Sequence, residues 1–592
     1  MPSNLARCFV RRSSLGYSLS LLWVTGLAGA SRAESLHQTL DLIPVLPEHQ
    51  TDQRRLAQSQ NPIIPRPQTP DLPTPLPPPE DLLDQPQSPD APDSELPEAP
   101  ETIIVEQFNV VGSTVFTAAE LAEVTAPFTQ RPINFSELLQ ARSAVTKLYV
   151  DNGYTTSLAF VPPGQEITNG IVTLQVIEGT LEAIQVTGNQ RLSTRYVRDR
   201  LAPATQTPLN VNKLLEALQV LQLNPLIQTI SAELSAGPRP GVSLLEVTIS
   251  ETRSFRPQII LDNQRSPSVG SFQRQIQLNE ANLSGHGDAI SLTYANTDGI
   301  DDLSFSYTFP INPRNGTLGV NFSQIWSRVI AEPFDVLQLN GTSRDINLTY
   351  RQPVIQTPRQ ELALGITGGR RESETFLLGE RSPLSPGADA EGRTRLSGLR
   401  LFQEWTQRNR TSVLALRSEF SVGLPLGATD NPTSPDGEFL LWRGQAQWVK
   451  QLAPDTLILL RSNLQFADRA LVPLEQFGLG GLDSVRGYPQ DLLLVDNGIY
   501  AAVEARIPIF RVTRRDGVFQ LVPFFDLGHG FNSGERPIEG SNTLAALGVG
   551  IRFQWSDRLS ARLDWGVPLI STGAQSSGFE DSQIFFSIGV SP

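Results

Sequence analysis

Two short motifs in the C-terminal part of the chain carry the residue types best suited to a specific interaction. They are Val485-Arg486-Gly487-Tyr488 and Phe524-x-Asp526-x-Gly528. The guanidinium of an arginine is a planar fork that matches one carboxylate, so Arg486 and Asp526 are suited to a two-point ion pair. Nothing elsewhere in the sequence assembles a nucleophile, a base and an oxyanion hole. The motifs therefore predict charge pairing, and we expect no enzyme activity.

The residues around Asp526 alternate between two chemically different faces. One face holds Phe519, Leu521, Pro523, Phe525 and Leu527, and the other holds Gln520, Val522, Phe524, Asp526 and Gly528. A strand between lipid and water shows opposite chemistry on successive residues, so the first face suits lipid. An unpaired carboxylate facing lipid is costly, so Phe524, Asp526 and Gly528 are expected to point together into a lumen. Arg486 follows the glycine-rich segment 477–484, which predicts a loop.

The same alternation recurs along the segment 253–592. Apolar residues at period two include Ile290, Leu292 and Tyr294 in one run, and Leu547, Val549 and Ile551 in another. With strands of about 10 residues, this segment predicts a transmembrane antiparallel β-barrel of about 16 strands. A barrel of that size has an aqueous lumen. The alternative, a soluble β-sandwich, is disfavoured because its strands would group into a domain of about 100 residues.

An internal repeat occupies the region before the barrel. Matching residues are separated by 76 positions (188 minus 112), as in the pair Gly112 and Gly188. The two copies, 103–180 and 181–252, each predict the order strand, helix, helix, strand, strand. We therefore expect two small two-layer α+β domains of βααββ type.

Helix signals support this reading of the first copy. Thr117 with Glu120 and Asn134 with Glu137 have the spacing of capping boxes. After Asn134, apolar residues recur at helical spacing, and Gly153 is placed to end that helix. These apolar residues are Leu138, Ala141, Val145 and Leu148.

The N-terminal part of the chain predicts export. Three arginines precede the apolar stretch Leu15–Ala30 and small residues follow it, so residues 1–33 are expected to be a signal peptide. An uncleaved anchor helix is the alternative. The single cysteine, Cys8, lies in this segment, so the mature chain would hold no thiol. Residues 34–102 are an N-terminal segment and a proline-rich linker, whose composition predicts an extended spacer.

Charge and motif content exclude several function classes. The formal net charge of -14 argues against a nucleic-acid partner. The glycines of segment 477–484 are not followed by a Lys-Ser or Lys-Thr pair, so they do not predict a phosphate loop. The histidines are scattered, at His37, His49, His286 and His529. We expect no metal, nucleotide or other cofactor.

The signal peptide, the proline-rich linker, the two βααββ repeats and a barrel with Val485-Arg486-Gly487-Tyr488 and Phe524-x-Asp526-x-Gly528 together resemble a known family. These are the TpsB transporters of two-partner secretion, which include haemolysin secretion/activation and filamentous-haemagglutinin transporters. They belong to the outer-membrane assembly-factor superfamily. The repeats resemble its polypeptide-transport-associated (POTRA) domains.

The resemblance implies a location and a function. The barrel would lie in the bacterial outer membrane, in contact with its lipid, and the POTRA domains in the periplasm. Residues of the POTRA domains, which the sequence does not single out, would bind a secreted exoprotein, an adhesin- or haemolysin-like protein of β-helical type. That protein would cross the barrel without nucleotide hydrolysis. Arg486 would lie at the tip of a long extracellular loop folded back into the lumen, against Asp526.

The sequence departs from the family pattern in two places, and one alternative within the superfamily stays open. Members usually carry an N-terminal helix that plugs the pore, whereas the only candidate here is around Asp52–Ser59. Barrels of this membrane commonly end on an aromatic residue, whereas this chain ends on Pro592. A barrel-assembly insertase is the alternative, and two POTRA copies favour secretion. A passive porin would leave the duplicated domains unexplained.

Overall fold

The structure, a computed structural model, describes residues 79–84, 102–430, 435–512, 516–534, 536–538, 540–572 and 580–592. The predicted signal peptide, the helix candidate Asp52–Ser59 and most of the proline-rich linker lie outside the described residues. Within the described ranges, every helix is too short or too polar to cross a membrane.

The described part of the linker is the segment Pro79–Asp84. It consists of one helical turn, α1 (Pro79–Leu82), and a two-residue strand, β1 (Leu83–Asp84). We call these six residues the linker strap. The prediction of an extended spacer is wrong for the strap, because Leu82 and Leu83 are buried and draw it onto a folded domain.

The first α+β unit contains a three-stranded sheet in the order β3-β6-β5, a two-stranded sheet β2-β4, and two helices. Its elements are β2 (Ile103–Val105), β3 (Gln107–Val111), α2 (Ala118–Thr125), β4 (Arg131–Ile133), α3 (Phe135–Asp151), β5 (Leu158–Phe160) and β6 (Ile171–Ile177).

Both predicted capping boxes of this unit are confirmed, Thr117 with Glu120 at α2 and Asn134 with Glu137 at α3. The backbone N–H of Thr117 donates a hydrogen bond to the carboxylate of Glu120, and that of Asn134 donates to Glu137. These hydrogen bonds lower the pKa of both glutamates.

The second α+β unit has the sheet order β1-β8-β9-β7, so the linker strap supplies its outermost strand. Strand β1 runs parallel to β8, β8 is antiparallel to β9, and β9 is parallel to β7. The other elements are β7 (Thr180–Thr187), α4 (Thr194–Leu201), α5 (Val211–Gln222), β8 (Ile227–Ala236) and β9 (Val242–Glu251). The two helices begin after Ser193 and Asn210, whose side chains accept hydrogen bonds from the first turn.

Sixteen antiparallel strands then form a closed barrel, as the alternation predicts. The first eight, with the two-residue extension β17, are β10 (Phe255–Asp262), β11 (Gln273–Glu280), β12 (Ala289–Asn296), β13 (Ile300–Pro310), β14 (Thr317–Arg328), β15 (Asn340–Gln356), β16 (Gln360–Leu377), β17 (Glu380–Arg381) and β18 (Arg393–Asn409). The other eight, with two short strands of a loop, are β19 (Ser412–Leu424), β20 (Leu440–Ala453), β21 (Thr456–Ala467), loop strands β22 (Phe477–Leu479) and β23 (Leu493–Val495), β24 (Asn497–Val512), β25 (Gly517–Phe531), β26 (Thr543–Trp555), β27 (Leu559–Pro568) and β28 (Gln583–Val590).

The barrel closes where its first strand pairs with its last. Ile259 of β10 lies opposite Val590 of β28, and Asp262 lies opposite Ser587. On the outer wall, large apolar side chains such as Leu292, Tyr294 and Leu547 are exposed, as a lipid-facing surface requires. The period-two pattern therefore separates an apolar outer face from a lumen.

Candidate functional site

The connection between β21 and β24, residues 468–496, contains the first motif and folds into the barrel. We call it the lumen loop. Its strands β22 and β23 pair antiparallel, with Phe477 opposite Val495 and Leu479 opposite Leu493. The expectation that residues 477–484 contain no strand is therefore wrong for Phe477–Leu479. These alternating side chains join a buried apolar cluster, which stabilises the small sheet.

Arg486 binds Asp526 on the barrel wall through three hydrogen bonds. Its Nε donates to Oδ2 at 2.7 Å, its Nη2 donates to Oδ1 at 2.8 Å, and its backbone N–H donates to Oδ2 at 3.0 Å. Both side chains are 0 % exposed. The structure therefore brings the two predicted charges together in a two-point pair that also fixes the main chain of the lumen loop.

The arginine meets a wider acidic surface than the sequence predicts. Nη1 of Arg486 donates to Glu504 of β24 at 2.9 Å, and it lies 3.9 Å from Oδ1 of Asp564 on β27. The ring of Phe524 lies 3.4 Å from the guanidinium carbon, the distance of a cation–π contact. We call Arg486 with Glu504, Asp526 and Asp564 the arginine anchor.

The residues beside Arg486 hold the loop backbone against the wall. The hydroxyl of Tyr488 lies 3.0 Å from the carbonyl oxygen of Ala545 and 2.8 Å from that of Ile570, and it accepts a hydrogen bond from the Ile570 N–H at 3.2 Å. Val485 is fully buried in the apolar cluster. Gly487 has φ of +104°, a conformation that disfavours other residues, and a Cβ there would lie 3.1 Å from the Gly566 backbone.

The second motif shows the predicted parity. Phe524 and Asp526 are buried under the loop, and the intervening Phe525 is exposed on the outer wall. A Cβ at Gly528 would lie 2.8 Å from Cγ2 of Val485 and 2.9 Å from Cδ2 of Leu479. Gly528 therefore permits the close approach of the lumen loop to β25.

A second ion cluster holds the same loop at another point. Glu475 lies in a 3-10 turn, Pro473–Glu475, and its side chain is 1 % exposed. Its carboxylate accepts hydrogen bonds from three wall arginines. These are Arg371 of β16 at 3.2 Å, Arg400 of β18 at 2.7 Å and Arg443 of β20 at 2.9 Å. We call this group the glutamate anchor.

A polar cavity of about 680 Å³ lies in the lumen formed by the described residues. Its lining includes Ser291, Thr293, Asp302 and Ser304, together with the three arginines that bind Glu475. Those arginines are 12 to 14 % exposed, whereas Arg486 is 0 % exposed. The glutamate anchor therefore borders this cavity, whereas the four side chains of the arginine anchor, which are 0 to 2 % exposed, do not line it.

Sequence reasoning missed Glu475, Glu504 and Asp564. Glu504 could have been found by parity, because Tyr500, Ala502 and Glu504 share the inward face of β24. Glu475 carries no such signal, since it lies outside the barrel strands and its arginines are 32 to 104 residues away. Inward-facing arginines on three strands would have indicated an acidic partner, but not which residue it is.

The predicted absence of a metal site stays a prediction. Among the described residues, no cluster of three or more His, Cys, Asp or Glu side chains could hold a metal ion. His286 lies 3.2 Å from the hydroxyl of Ser284, and Nδ1 of His529 lies 2.9 Å from the hydroxyl of Thr543.

Comparison with known families places this architecture. A family model described as haemolysin secretion/activation protein ShlB/FhaC/HecB matches residues 241–553, which is more than half of the chain. The chain belongs to this family. A model described as POTRA domain, ShlB-type, matches residues 103–179. Members of the family are outer-membrane transporters of partner proteins, with POTRA domains in the periplasm. The first α+β unit is accordingly a POTRA domain, and the barrel lies in the outer membrane. That the second α+β unit is a second POTRA domain stays a prediction.

Curated relatives and solved structures agree with this placement. The heme/hemopexin transporter protein HuxB of Haemophilus influenzae (strain 86-028NP) is 22% identical over 76% of this chain and 80% of its own. The outer membrane transporter CdiB of Dickeya dadantii is 25% identical over 77% and 81%. The structure of CdiB from Escherichia coli has a TM-score of 0.66, 19% identity, and covers 96% of this chain and 100% of its own. BamA from Haemophilus ducreyi lacking POTRA domains 1-3 has a TM-score of 0.50 at 14% identity, with coverage of 83% and 100%.

Proposed function

We propose that this transporter exports one large partner protein, recognised in the periplasm by its POTRA domains, and that the lumen loop controls the passage. The observation that carries the proposal is the loop itself. Residues of one connection occupy the lumen and are held to six wall strands by two buried ion clusters of opposite polarity. A passive pore does not need a loop that is held in its lumen by two buried ion clusters.

The partner is proposed to be an adhesin- or haemolysin-like exoprotein of β-helical type. A closed barrel of sixteen strands encloses an aqueous lumen, and the partner would cross it as an extended chain and fold outside the cell. No step requires chemical turnover, so the protein acts as a transporter and not as an enzyme. Lipid contacts the apolar outer wall, where side chains such as Leu292 and Leu547 are exposed.

In this proposal Val485, Arg486, Gly487 and Tyr488 form the part of the loop that positions it, and Phe524, Asp526 and Gly528 form its seat on β25. Arg486 supplies the charge, Tyr488 fixes the loop to β26, and the two glycines permit close approach. Glu475 holds another part of the loop through arginines of β16, β18 and β20.

The test is co-expression with the product of the neighbouring reading frame, where that product is a large exported protein rich in β-helical repeats. The amount of this protein in the medium should depend on the transporter, and it should accumulate in the periplasm without it. If cells without the transporter release the partner protein normally while their other outer-membrane barrels fail to assemble, the protein is an insertase and the proposal is wrong.

A further inference from the structure

The lipid-facing wall of the barrel changes chemistry towards one end of β14 and β15. Strand β10 starts on the periplasmic side, where the α+β units precede it, so β14, the fifth strand of the barrel, ends on the extracellular side. On β15 the outward-facing residues Tyr350, Leu348 and Ile346 are 37 to 52 % exposed. The next outward-facing residue in the extracellular direction is Arg344. The apolar band of the wall therefore ends at the level of Arg344.

A tryptophan and two arginines share the outward face near this level. Arg344 lies opposite Gln324 of β14, and on β14 the residues Trp326 and Arg328 follow at period two. Trp326 is 46 % exposed. Tryptophan is enriched at the boundary between hydrocarbon and headgroups, because its ring is apolar and its N–H is polar. These three residues therefore lie at the depth of the headgroups of the outer leaflet, and we call Trp326, Arg328 and Arg344 the outer-leaflet patch.

The two arginines of the patch lack the acidic partners that neighbouring arginines have. Arg274, Arg370 and Arg381, at the same end of the barrel, each pair with a carboxylate at 2.7 to 3.2 Å. Neither Arg328 nor Arg344 has a carboxylate partner among the residues that the structure describes. Arginine binds phosphate through two parallel hydrogen bonds, so an anionic phosphate group complements both side chains.

A buried glutamine orients one of these arginines. Nε of Arg344 donates to Oε1 of Gln324 at 3.0 Å, and the amide nitrogen of Gln324 donates to the carbonyl oxygen of Ser343 at 3.1 Å. Gln324 is 7 % exposed. The guanidinium of Arg344 is therefore held by its Nε edge, and its two Nη groups, which make no hydrogen bond within the described ranges, are available to an anion.

A groove of about 500 Å³ lies beside the patch. Trp326, Arg328 and the hydroxyl of Thr342 belong to its lining. The two acids of the lining, Asp298 and Asp301, already accept hydrogen bonds from side chains of β11 and β12. The groove therefore offers a cation, a hydroxyl and an aromatic ring, a combination that suits a phosphorylated sugar better than an acyl chain alone.

We propose that the outer-leaflet patch binds a phosphorylated glycolipid of the lipopolysaccharide class, with one phosphate at Arg344, a second at Arg328 and the sugar core over Trp326. Four residues of β14 (328 minus 324) separate the levels of the two arginines by about 13 Å, at about 3.4 Å per residue. A headgroup with a phosphate on each side of a sugar core engages both arginines at once, whereas a phospholipid presents one phosphate. The inference depends on the location of the barrel in the outer membrane and not on the proposed export of a partner.

Binding of defined lipids by the purified transporter tests the site. The probe is bisphosphorylated lipid A, added to the full-length transporter in detergent, and native mass spectrometry counts the lipid molecules bound. The Arg328→Gln/Arg344→Gln variant should retain at least about fivefold less lipid A than the wild type, because it loses both phosphate ligands. Heat-modifiable gel migration shows whether the barrel of each variant is folded.

The matched control removes two cations of the outer wall at the other leaflet. Lys450 and Arg511 lie near the periplasmic ends of β20 and β24, on the outward faces of these strands. The Lys450→Gln/Arg511→Gln variant should retain as much lipid A as the wild type. Equal loss of lipid A in this variant and in the Arg328→Gln/Arg344→Gln variant would show a general effect of charge and would overturn the site.

The chemistry of the lipid provides the second arm. Binding to the wild type should decrease from bisphosphorylated to monophosphorylated to phosphate-free lipid A, and the Arg328→Gln/Arg344→Gln variant should not distinguish the three. Equal binding of all three lipids by the wild type, or equal retention of lipid A by the wild type and this variant, would overturn the proposal. Tighter binding of phosphatidylglycerol than of bisphosphorylated lipid A would assign the patch to a phospholipid and would contradict the proposal as well.

Discussion

The two anchors hold the lumen loop to the barrel wall with loop residues of opposite charge. At the arginine anchor, a base of the loop lies among acids of β24, β25 and β27. At the glutamate anchor, an acid of the loop lies among bases of β16, β18 and β20. The loop therefore presents one buried charge of each sign to the wall, and each charge is paired with wall residues of the opposite sign.

The anchors differ in their access to water. The four side chains of the arginine anchor are 0 to 2 % exposed, so Arg486→Ala would leave Asp526 buried without its ion-pair partner among the described residues, at a cost of about 3–5 kcal/mol. The glutamate anchor borders the polar cavity, where water can screen charges that lose a partner. We therefore infer that the arginine anchor fixes the loop and the glutamate anchor is the end that is released more easily.

The largest expected effect comes from removing both anchors together. The Arg486→Ala/Glu475→Gln variant should abolish export and admit small hydrophilic solutes through the loosened lumen. Antibiotic uptake and single-channel conductance measure the second effect. A double variant that exports normally, with unchanged conductance, would show that neither anchor holds the loop.

The Glu475→Gln variant should lower export less, by about threefold to fivefold. The neutral amide keeps the shape of the side chain but no longer offsets Arg371, Arg400 and Arg443, so their mutual repulsion loosens one end of the loop. Protease accessibility of residues near 475 should rise, and accessibility near 486 should not. Glu438→Gln, at an exposed position, is the control. An effect equal to that of Arg486→Ala would contradict the proposed difference between the anchors.

The smallest effect is expected at Gly528. A methyl group there would meet Val485 and Leu479 at 2.8 and 2.9 Å, so Gly528→Ala should displace the loop slightly while both ion clusters persist. Release of the partner should fall by about twofold, with normal barrel folding, because overpacking costs about 1–3 kcal/mol. Gly368→Ala on β16, where nothing lies within 4 Å of the added methyl and the backbone is ordinary extended strand, is the control.

Features that depend on residues close together in the sequence were predictable. The parity of Phe524 and Asp526 followed from period two in one strand, and the capping boxes at Thr117 and Asn134 followed from contacts three residues apart. The glutamate anchor was not predictable, because it depends on the register of three strands brought together by barrel closure. The linker strap was not predicted, because the many prolines of the linker indicate an extended spacer. The groove that buries the two leucines of the strap exists only in the folded domain.

The most direct test of the role of the loop is the release of the partner protein by Arg486→Ala and Asp526→Ala, measured beside the heat-modifiable gel migration of the barrel. Both variants should keep the migration of a folded barrel and release at least about tenfold less partner, and Arg486→Lys should release an intermediate amount because a point charge cannot make the two-point pair. Undiminished release by both alanine variants would contradict the assignment of Arg486 and Asp526 to the transport mechanism.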